Sequence, residues 1–224
     1  MDQEPSRLRL YIDSAATADW EKYLPLGLFY GVTTNPKLLR AGGIGFNYRE
    51  ISGLAKEAFY LGAGEIHLQV WGENSEDYLE AGRALADIDP RVQVKVPIDR
   101  VGLLAARTLI GEGIPVTLTA LHASKQVLSA AALGAAYAAP YLGRMKDAGR
   151  DGLEEVLQMG RILRSLESPT RLLVASIRDT ADLVALAAGG LDTFTLTPPI
   201  IEDLVADELT RAAVEAFAAE VTGE

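Results

Sequence analysis

A closed barrel of eight parallel strands alternating with helices, the (β/α)8 or TIM barrel, is what this 224-residue sequence predicts, and three features predict it. Eight short runs rich in β-branched residues recur along the chain, each followed by a turn signal and then by an Ala/Leu-rich stretch of helical pattern. The ends of those runs fall about 26 residues apart, the length of one strand, one helix and two loops. No linker, low-complexity segment or basic tail interrupts the series, so residues 1–224 read as one domain.

The first strand is expected over Leu8 to Asp13, where Leu10 and Ile12 alternate with Tyr11 and Asp13. The second, Leu28 to Thr33, precedes Pro36, which can open a helix at its first position. The third, Glu65 to Val70, sets Ile66, Leu68 and Val70 against His67 and Gln69, and Ser75 can cap the helix after it. The fourth, Val92 to Val96, sets three valines against Gln93 and Lys95. The fifth, Pro115 to Thr119, opposes Val116 and Leu118 to Thr117 and Thr119.

The longest uncharged stretch, Gln126 to Gly143, approaches the length of a membrane span, but it contains Ser129, Gly134, Pro140 and two tyrosines. It reads as a buried helix, a turn and the sixth strand, Ala136 to Pro140. The seventh strand, Arg171 to Ser176, is followed by a capping Asp179. Gly189 and Gly190 stop the next helix before the eighth strand, Asp192 to Leu196. A final helix, Asp207 to Val221, within an appendage spanning 207–224, carries Leu209, Ala213, Val214, Phe217 and Val221 at helical spacing. It either closes its own barrel or meets a neighbouring subunit.

Composition narrows the function. With 21 Lys and Arg against 31 Asp and Glu, the net charge is −10, which opposes a general electrostatic grip on nucleic acid or an anionic membrane. There is no cysteine, so disulfides, thiolate metal sites and thiol nucleophiles are excluded, and two histidines, His67 and His122, are too few for a histidine-rich metal site. Met1 to Arg9 shows no targeting signal, which makes a cytoplasmic location the expectation.

In a barrel of this kind the reacting groups lie at the C-terminal ends of the strands, which is where each strand's polar residue falls. Asp13, Gln69, Lys95, Thr119 and Ser176 would converge on one mouth. Lys95 is one of only six lysines and alone sits inside a Val-x-Val-x-Val strand. Burial there disfavours the ammonium and favours a nucleophilic amine. A structural lysine paired with a carboxylate such as Asp13 fits the same pattern, and Gln69, Thr119 and the two histidines read equally as satisfied core groups.

Tyr11-Ile12-Asp13, Gly31-Val32-Thr33-Thr34-Asn35-Pro36 and Val94-Lys95-Val96-Pro97, in that order, resemble the transaldolase family, especially its small members that include fructose-6-phosphate aldolase. The resemblance continues through Gly113-Ile114-Pro115, Ala139-Pro140-Tyr141-Leu142-Gly143-Arg144 and Ala175-Ser176-Ile177-Arg178. It implies cofactor-free class I chemistry, with Lys95 forming a Schiff base on a sugar-phosphate ketone and Asp13 moving the proton at the substrate hydroxyl. Thr33 and Asn35 would bind substrate hydroxyls, Gln69 and Thr119 would hold a water, and Arg144, Ser176 and Arg178 would bind phosphate.

Relatives that are ordinary transaldolases carry glutamate where Gln69 stands and phenylalanine where Tyr141 stands; the aldolase branch carries Gln and Tyr. The pair therefore implies cleavage of fructose 6-phosphate to dihydroxyacetone and glyceraldehyde 3-phosphate, or the reverse addition. A transaldolase moving a dihydroxyacetone unit between sugar phosphates, and a non-catalytic phosphosugar-binding barrel, remain the alternatives. The resemblance also implies a homo-oligomer, a ring of five or ten. His67, where relatives are expected to hold a small or nonpolar residue, Thr117 and His122 depart from the family pattern.

Overall fold

The computed structural model describes residues 7–222. Met1–Ser6, part of the stretch read above as free of a targeting signal, and Gly223 and Glu224, the end of the appendage, lie outside the described residues. The strands are β1 (Arg9–Asp13), β2 (Phe29–Thr33), β3 (Glu65–Gln69), β4 (Val92–Pro97), β5 (Val116–Leu121), β6 (Tyr137–Pro140), β7 (Arg171–Leu172) and β8 (Thr193–Leu196). Between and after them run α1 (Thr17–Tyr23), α2 (Pro36–Ala41), α3 (Tyr48–Tyr60), α4 (Ser75–Ala86), α5 (Arg100–Gly111), α6 (Val127–Leu133), α7 (Leu142–Asp147), α8 (Gly152–Ser165), α9 (Thr180–Ala188), α10 (Pro198–Val205) and α11 (Glu208–Thr222).

All strand pairs are parallel, in the order β7-β6-β5-β4-β3-β2-β1-β8. The ring closes between β7 and β8 through a bridge of Val174 with Phe194, in which the Val174 amide donates to the Thr193 carbonyl and the Thr195 amide to the Val174 carbonyl, each at 3.0 Å. The sequence predicts the seventh strand over six residues, but its regular ladder spans only Arg171–Leu172. Pairing continues as isolated bonds, Leu173 and Ala175 amides donating to Ala138 and Pro140, until Ser176 turns the chain away with a left-handed φ of 60°.

Alternation sorts the strand residues into two separate apolar clusters. Ile12, Val32, Ile66, Leu68, Val94, Val96 and Leu118 pack outward against the helices, with Trp20, Leu85, Leu109 and Met159 among their partners. Tyr11, Tyr137, Ala139 and Leu173 form a smaller cluster inside the barrel. Because side chains alternate by two, the predicted inward set also carries the polar groups, and His67, Lys95, Thr117 and Thr119 are all buried.

The helix ends follow the expected signals with one change. Asn35 caps α2 ahead of Pro36, and Asp179 caps α9, which stops at Gly189. At α4 the cap is Asn74 rather than Ser75, because the Asn74 side chain accepts from the Asp77 amide while the Asp77 carboxylate accepts from the Asn74 amide. Gln126 to Gly143 folds as α6, a turn at Gly134 with φ of 70°, β6 and the first residues of α7. Among the described residues no helix is long and apolar enough to cross a membrane. On α11 Leu209, Val214, Phe217 and Val221 remain 81%, 59%, 69% and 87% exposed in the single chain.

Candidate active site

A cavity of about 450 Å³ opens at the C-terminal mouth of the barrel and is walled by Asp13, Asn35, Lys95, Tyr141, Arg144, Ser176 and Arg178. Seven of the ten site residues read from the sequence therefore share one space. Of the other three, Thr33 and Thr119 stand directly behind its wall, bonded to residues that form it. Gln69 is half-buried and register-paired with Lys95, outside the wall itself.

Lys95 is 5% exposed, and its ammonium donates to the Thr34 carbonyl at 2.7 Å. That carbonyl lies in the Thr34-Asn35-Pro36 loop, held down by the Thr34 amide donating to the His67 carbonyl. Asp13 is not the ion-pair partner that a purely structural lysine would need. Its carboxylate accepts instead from the Thr33 hydroxyl at 2.8 Å, and that hydroxyl is in contact with Thr195 Oγ1 at 2.5 Å. Burial holds the Asp13 carboxyl above the ordinary aspartate range, against the opposing pull of Lys95 and of the Thr33 hydroxyl. A lysine and a carboxylate thus face one cavity without neutralising each other by contact.

A local irregularity brings Tyr141 into place. The β5–β6 register shifts between Thr119 and Leu121, where Ala120 adopts a left-handed φ of 64°, a conformation that costs a non-glycine residue about 1 kcal/mol. Leu121 then pairs with Pro140, its carbonyl accepts the Tyr141 amide at 3.0 Å, and the Tyr141 hydroxyl reaches Thr119 Oγ1 at 3.0 Å. His122 stands edge-on to the Tyr141 ring, centroids 5.5 Å apart, with Nδ1 held 2.7 Å from the Ala120 carbonyl.

The Arg144 guanidinium stacks 4.9 Å from the Tyr141 ring centroid. Arg178 is exposed and pairs bidentately with Asp147 at 2.5 and 2.6 Å, which holds the guanidinium beside Ser176. Asn35 spends its carbonyl oxygen on the Lys37 and Leu38 amides, so its NH2 group is the part left to donate.

Lys37, Thr197, Pro199 and Ile200 also line the cavity and were not singled out in the sequence. Lys37, two residues beyond Asn35 on a short helix, carried a usable signal; the β8 loop residues carried none. His67, by contrast, lies outside the cavity. It is fully buried, with Nδ1 2.9 Å from Thr117 Oγ1 and its ring edge-on to Tyr11 and Tyr137.

At the opposite end of the barrel a second cavity of about 250 Å³ is lined by Arg7, Arg164, Arg171 and Asp192. Asp192 there accepts from both Arg7 and Arg171, and Arg164 donates to the Gly190 carbonyl, all away from Lys95.

A single (β/α)8 barrel whose C-terminal mouth holds a buried lysine, a half-buried carboxylate and two arginines has the layout of a barrel enzyme acting on an anionic substrate. The chain belongs to the transaldolase/fructose-6-phosphate aldolase family, whose family model matches residues 10–223. It is 36% identical over 213 residues to a probable transaldolase of Anaeromyxobacter dehalogenans, covering 95% of this chain and 96% of that one. Probable transaldolases of Cereibacter sphaeroides (34% identical, 95% of both chains) and Exiguobacterium sibiricum (33%, 95% and 97%) are similarly close. Among solved structures, thiamine phosphate pyrophosphorylase from Pyrococcus furiosus shares the fold, with a TM-score of 0.60 at 15% identity over 85% of this chain and 86% of that one. The protein is therefore an enzyme of the aldolase/transaldolase type, and family membership implies sugar-phosphate substrates.

Proposed function

We propose that the protein is a class I aldolase that cleaves fructose 6-phosphate to dihydroxyacetone and glyceraldehyde 3-phosphate, and runs the reverse addition. Lys95 Nζ attacks C2 of the ketose, and loss of water leaves a protonated imine. Asp13 takes the proton of the C4 hydroxyl, the C3–C4 bond breaks, and its electron pair flows into the imine as the aldehyde leaves. Protonation at C3 and hydrolysis then free dihydroxyacetone and restore the lysine. Asn35 donates to a substrate hydroxyl, and Arg144, Ser176 and Arg178 hold the phosphate. Thr33 acts indirectly, by fixing Asp13.

The observation that carries this reading is the Tyr141 hydroxyl bonded to Thr119 in the wall of the Lys95 cavity, with neutral Gln69 register-paired to Lys95. Glutamine cannot act as a base, so the tyrosine and threonine hydroxyls hold the water that hydrolyses the imine. A transaldolase is the second reading, favoured by the names of the relatives above. The time course of glyceraldehyde 3-phosphate release from fructose 6-phosphate without an acceptor separates them. Sustained release supports the aldolase, release that stops near one equivalent per site supports the transaldolase, and no release with retained phosphosugar binding supports a non-catalytic barrel.

The same reading includes a cytoplasmic location and a homo-oligomer of five or ten chains. Leu209, Val214, Phe217 and Val221 of α11, each more than half exposed in the single chain, support the second of these.

A further inference from the structure

The walls of the Lys95 cavity carry four cationic side chains, Lys37, Lys95, Arg144 and Arg178, and one carboxylate, Asp13. Two of the cations have a compensating charge close by. Lys95 is offset through space by Asp13, and Arg178 pairs bidentately with Asp147 at 2.5 and 2.6 Å. Arg144 stacks on the Tyr141 ring and feels Asp147 only at longer range, without an ion-pair contact. Lys37 is exposed, and among the described residues its ammonium has neither a hydrogen bond nor an ion pair. Two positive charges are therefore uncompensated at the mouth, in a chain whose net charge is −10.

Nothing local accounts for a lysine at this position. Lys37 is the second residue of α2, and the first turn of a helix favours carboxylates and opposes a cation. Its backbone amide and that of Leu38 both donate to the Asn35 side-chain oxygen, so neither N–H is free for a ligand. What the residue adds to the cavity is its ammonium, on a flexible four-carbon stem. β2, which leads into α2, and β6, which leads into α7, stand four places apart in the ring of eight, so Lys37 and Arg144 approach the mouth from opposite sides.

We propose that Lys37 is a specificity residue for the substrate phosphate, meeting it from the side opposite Arg144, so that the pair supplies the two positive charges a phosphate dianion requires. The inference rests on the sugar-phosphate reading of the cavity and adds to it a residue outside the motifs that marked the phosphate end. A phosphate ester carries close to two negative charges at neutral pH, its second pKa being about 6. Ser176 offers a neutral donor, and the charge of Arg178 is balanced by Asp147, so Arg144 alone would leave the dianion half neutralised. Lys37 completes the match. Because its ammonium is exposed, its contribution weakens as salt is added.

The test compares the addition of dihydroxyacetone to glyceraldehyde 3-phosphate and to unphosphorylated glyceraldehyde by wild type, Lys37→Gln and Lys37→Arg, with calorimetric titration of inorganic phosphate into each. Lys37→Gln is expected to lower kcat/KM for glyceraldehyde 3-phosphate about tenfold, through KM, to leave glyceraldehyde within about twofold, and to weaken inorganic phosphate about as much as the phosphorylated aldehyde. Lys37→Arg keeps the charge and is expected to restore most of the loss. Raising the salt from about 50 to about 300 mM should narrow the gap between wild type and Lys37→Gln. Equal losses with both aldehydes, or an unchanged preference for the phosphorylated one, overturn the role of Lys37 and leave the aldolase reading intact. If wild type adds dihydroxyacetone to neither aldehyde, the aldolase reading falls and the phosphate titration decides on Lys37 by itself: weaker binding by Lys37→Gln supports it, and equal binding overturns it.

Discussion

The Thr33 hydroxyl donates to Asp13 Oδ1 at 2.8 Å and is itself held by Thr195, so three adjacent strands, β2, β1 and β8, fix one carboxylate. That bond stabilises the ionised form which burial opposes. In Thr33→Val the opposing contribution is lost and the carboxyl rises further. As the base in cleavage, Asp13 works only when ionised, so the acid limb of the kcat/KM profile should move to higher pH. Activity near pH 6 should fall about five- to tenfold more than activity at pH 8. A uniform loss at all pH values would assign Thr33 to substrate contact instead.

Gly143 sets the spacing of the proposed phosphate end. Its amide donates to the Ser176 carbonyl at 2.9 Å, and a Cβ there would lie 2.5 Å from that oxygen and 2.7 Å from Arg178 Nε. Gly143→Ala must push the Ser176 turn and Arg178 outward. We expect a loss of about 1–3 kcal/mol in stability and a KM for fructose 6-phosphate raised more than tenfold, with less change for an unphosphorylated donor. Equal effects on both substrates would remove Ser176 and Arg178 from the phosphate site.

Strand alternation made most of this geometry legible. Period-two patterning in β1, β3, β4 and β5 put Asp13, Gln69, Lys95 and Thr119 on the inner face and at the correct end, because burial of the outer face leaves register no freedom. What alternation cannot give is the partner. Thr33 read as a substrate ligand, yet its hydroxyl is turned to Asp13, a choice made by β1–β2 register. Glu65 and Tyr137 are 72 residues apart, and nothing local in either strand announces their contact. Lys37, Thr197 and Ile200 reach the cavity from loops and helix starts, where no periodicity operates. The shortened β7 and the bulge at Ala120 are set by ring closure and by Pro140, which has no N–H to offer.

The buried imidazole also makes stability depend on pH. His67 has a folded proton affinity below the ordinary histidine value, burial being the main cause, so the unfolded chain binds its proton first. Its contribution to stability is fully present above pH ~6.5 and is lost as pH falls toward the lowered folded value, by up to about 1.4 kcal/mol per pH unit. Glu65 adds a loss of the same sign at lower pH: burial raises its carboxyl, but the contacts with His67, Tyr137 and Arg9 outweigh that and hold it below the ordinary value. Denaturant midpoints between pH 7 and 5 should fall in wild type and fall less in His67→Gln. Parallel curves would mean that His67 binds its proton equally in the folded and the unfolded chain.

Tyr141 and Gln69 separate the two readings of the reaction. Tyr141→Phe removes the 3.0 Å contact with Thr119 and leaves the ring available to Arg144 and His122. Imine hydrolysis should then slow more than cleavage, and the trapped three-carbon adduct should accumulate. In Gln69→Glu with Tyr141→Phe, the ratio of transfer to free dihydroxyacetone should rise when an acceptor aldehyde is present. Unchanged product ratios would show that the water is held by other groups.

The C-terminal helix gives the last expectation. Phe217 and Val221 are one helical turn apart on α11, and Leu209 and Val214 bring the large exposed apolar side chains to four, all with more than half their surface in contact with solvent in the single chain. Leaving that surface wet costs about 25 cal/mol per Å², which a second copy of the chain would recover. Phe217→Asp together with Val221→Asp should therefore reduce the assembly size measured by light scattering. The barrel core lies elsewhere, around Ile12, Val94 and Leu118, so cooperative unfolding of each chain should persist. If the mass in solution is that of one chain before and after substitution, α11 has another partner. If the variant loses cooperative unfolding, α11 supports its own barrel through contacts other than these four side chains.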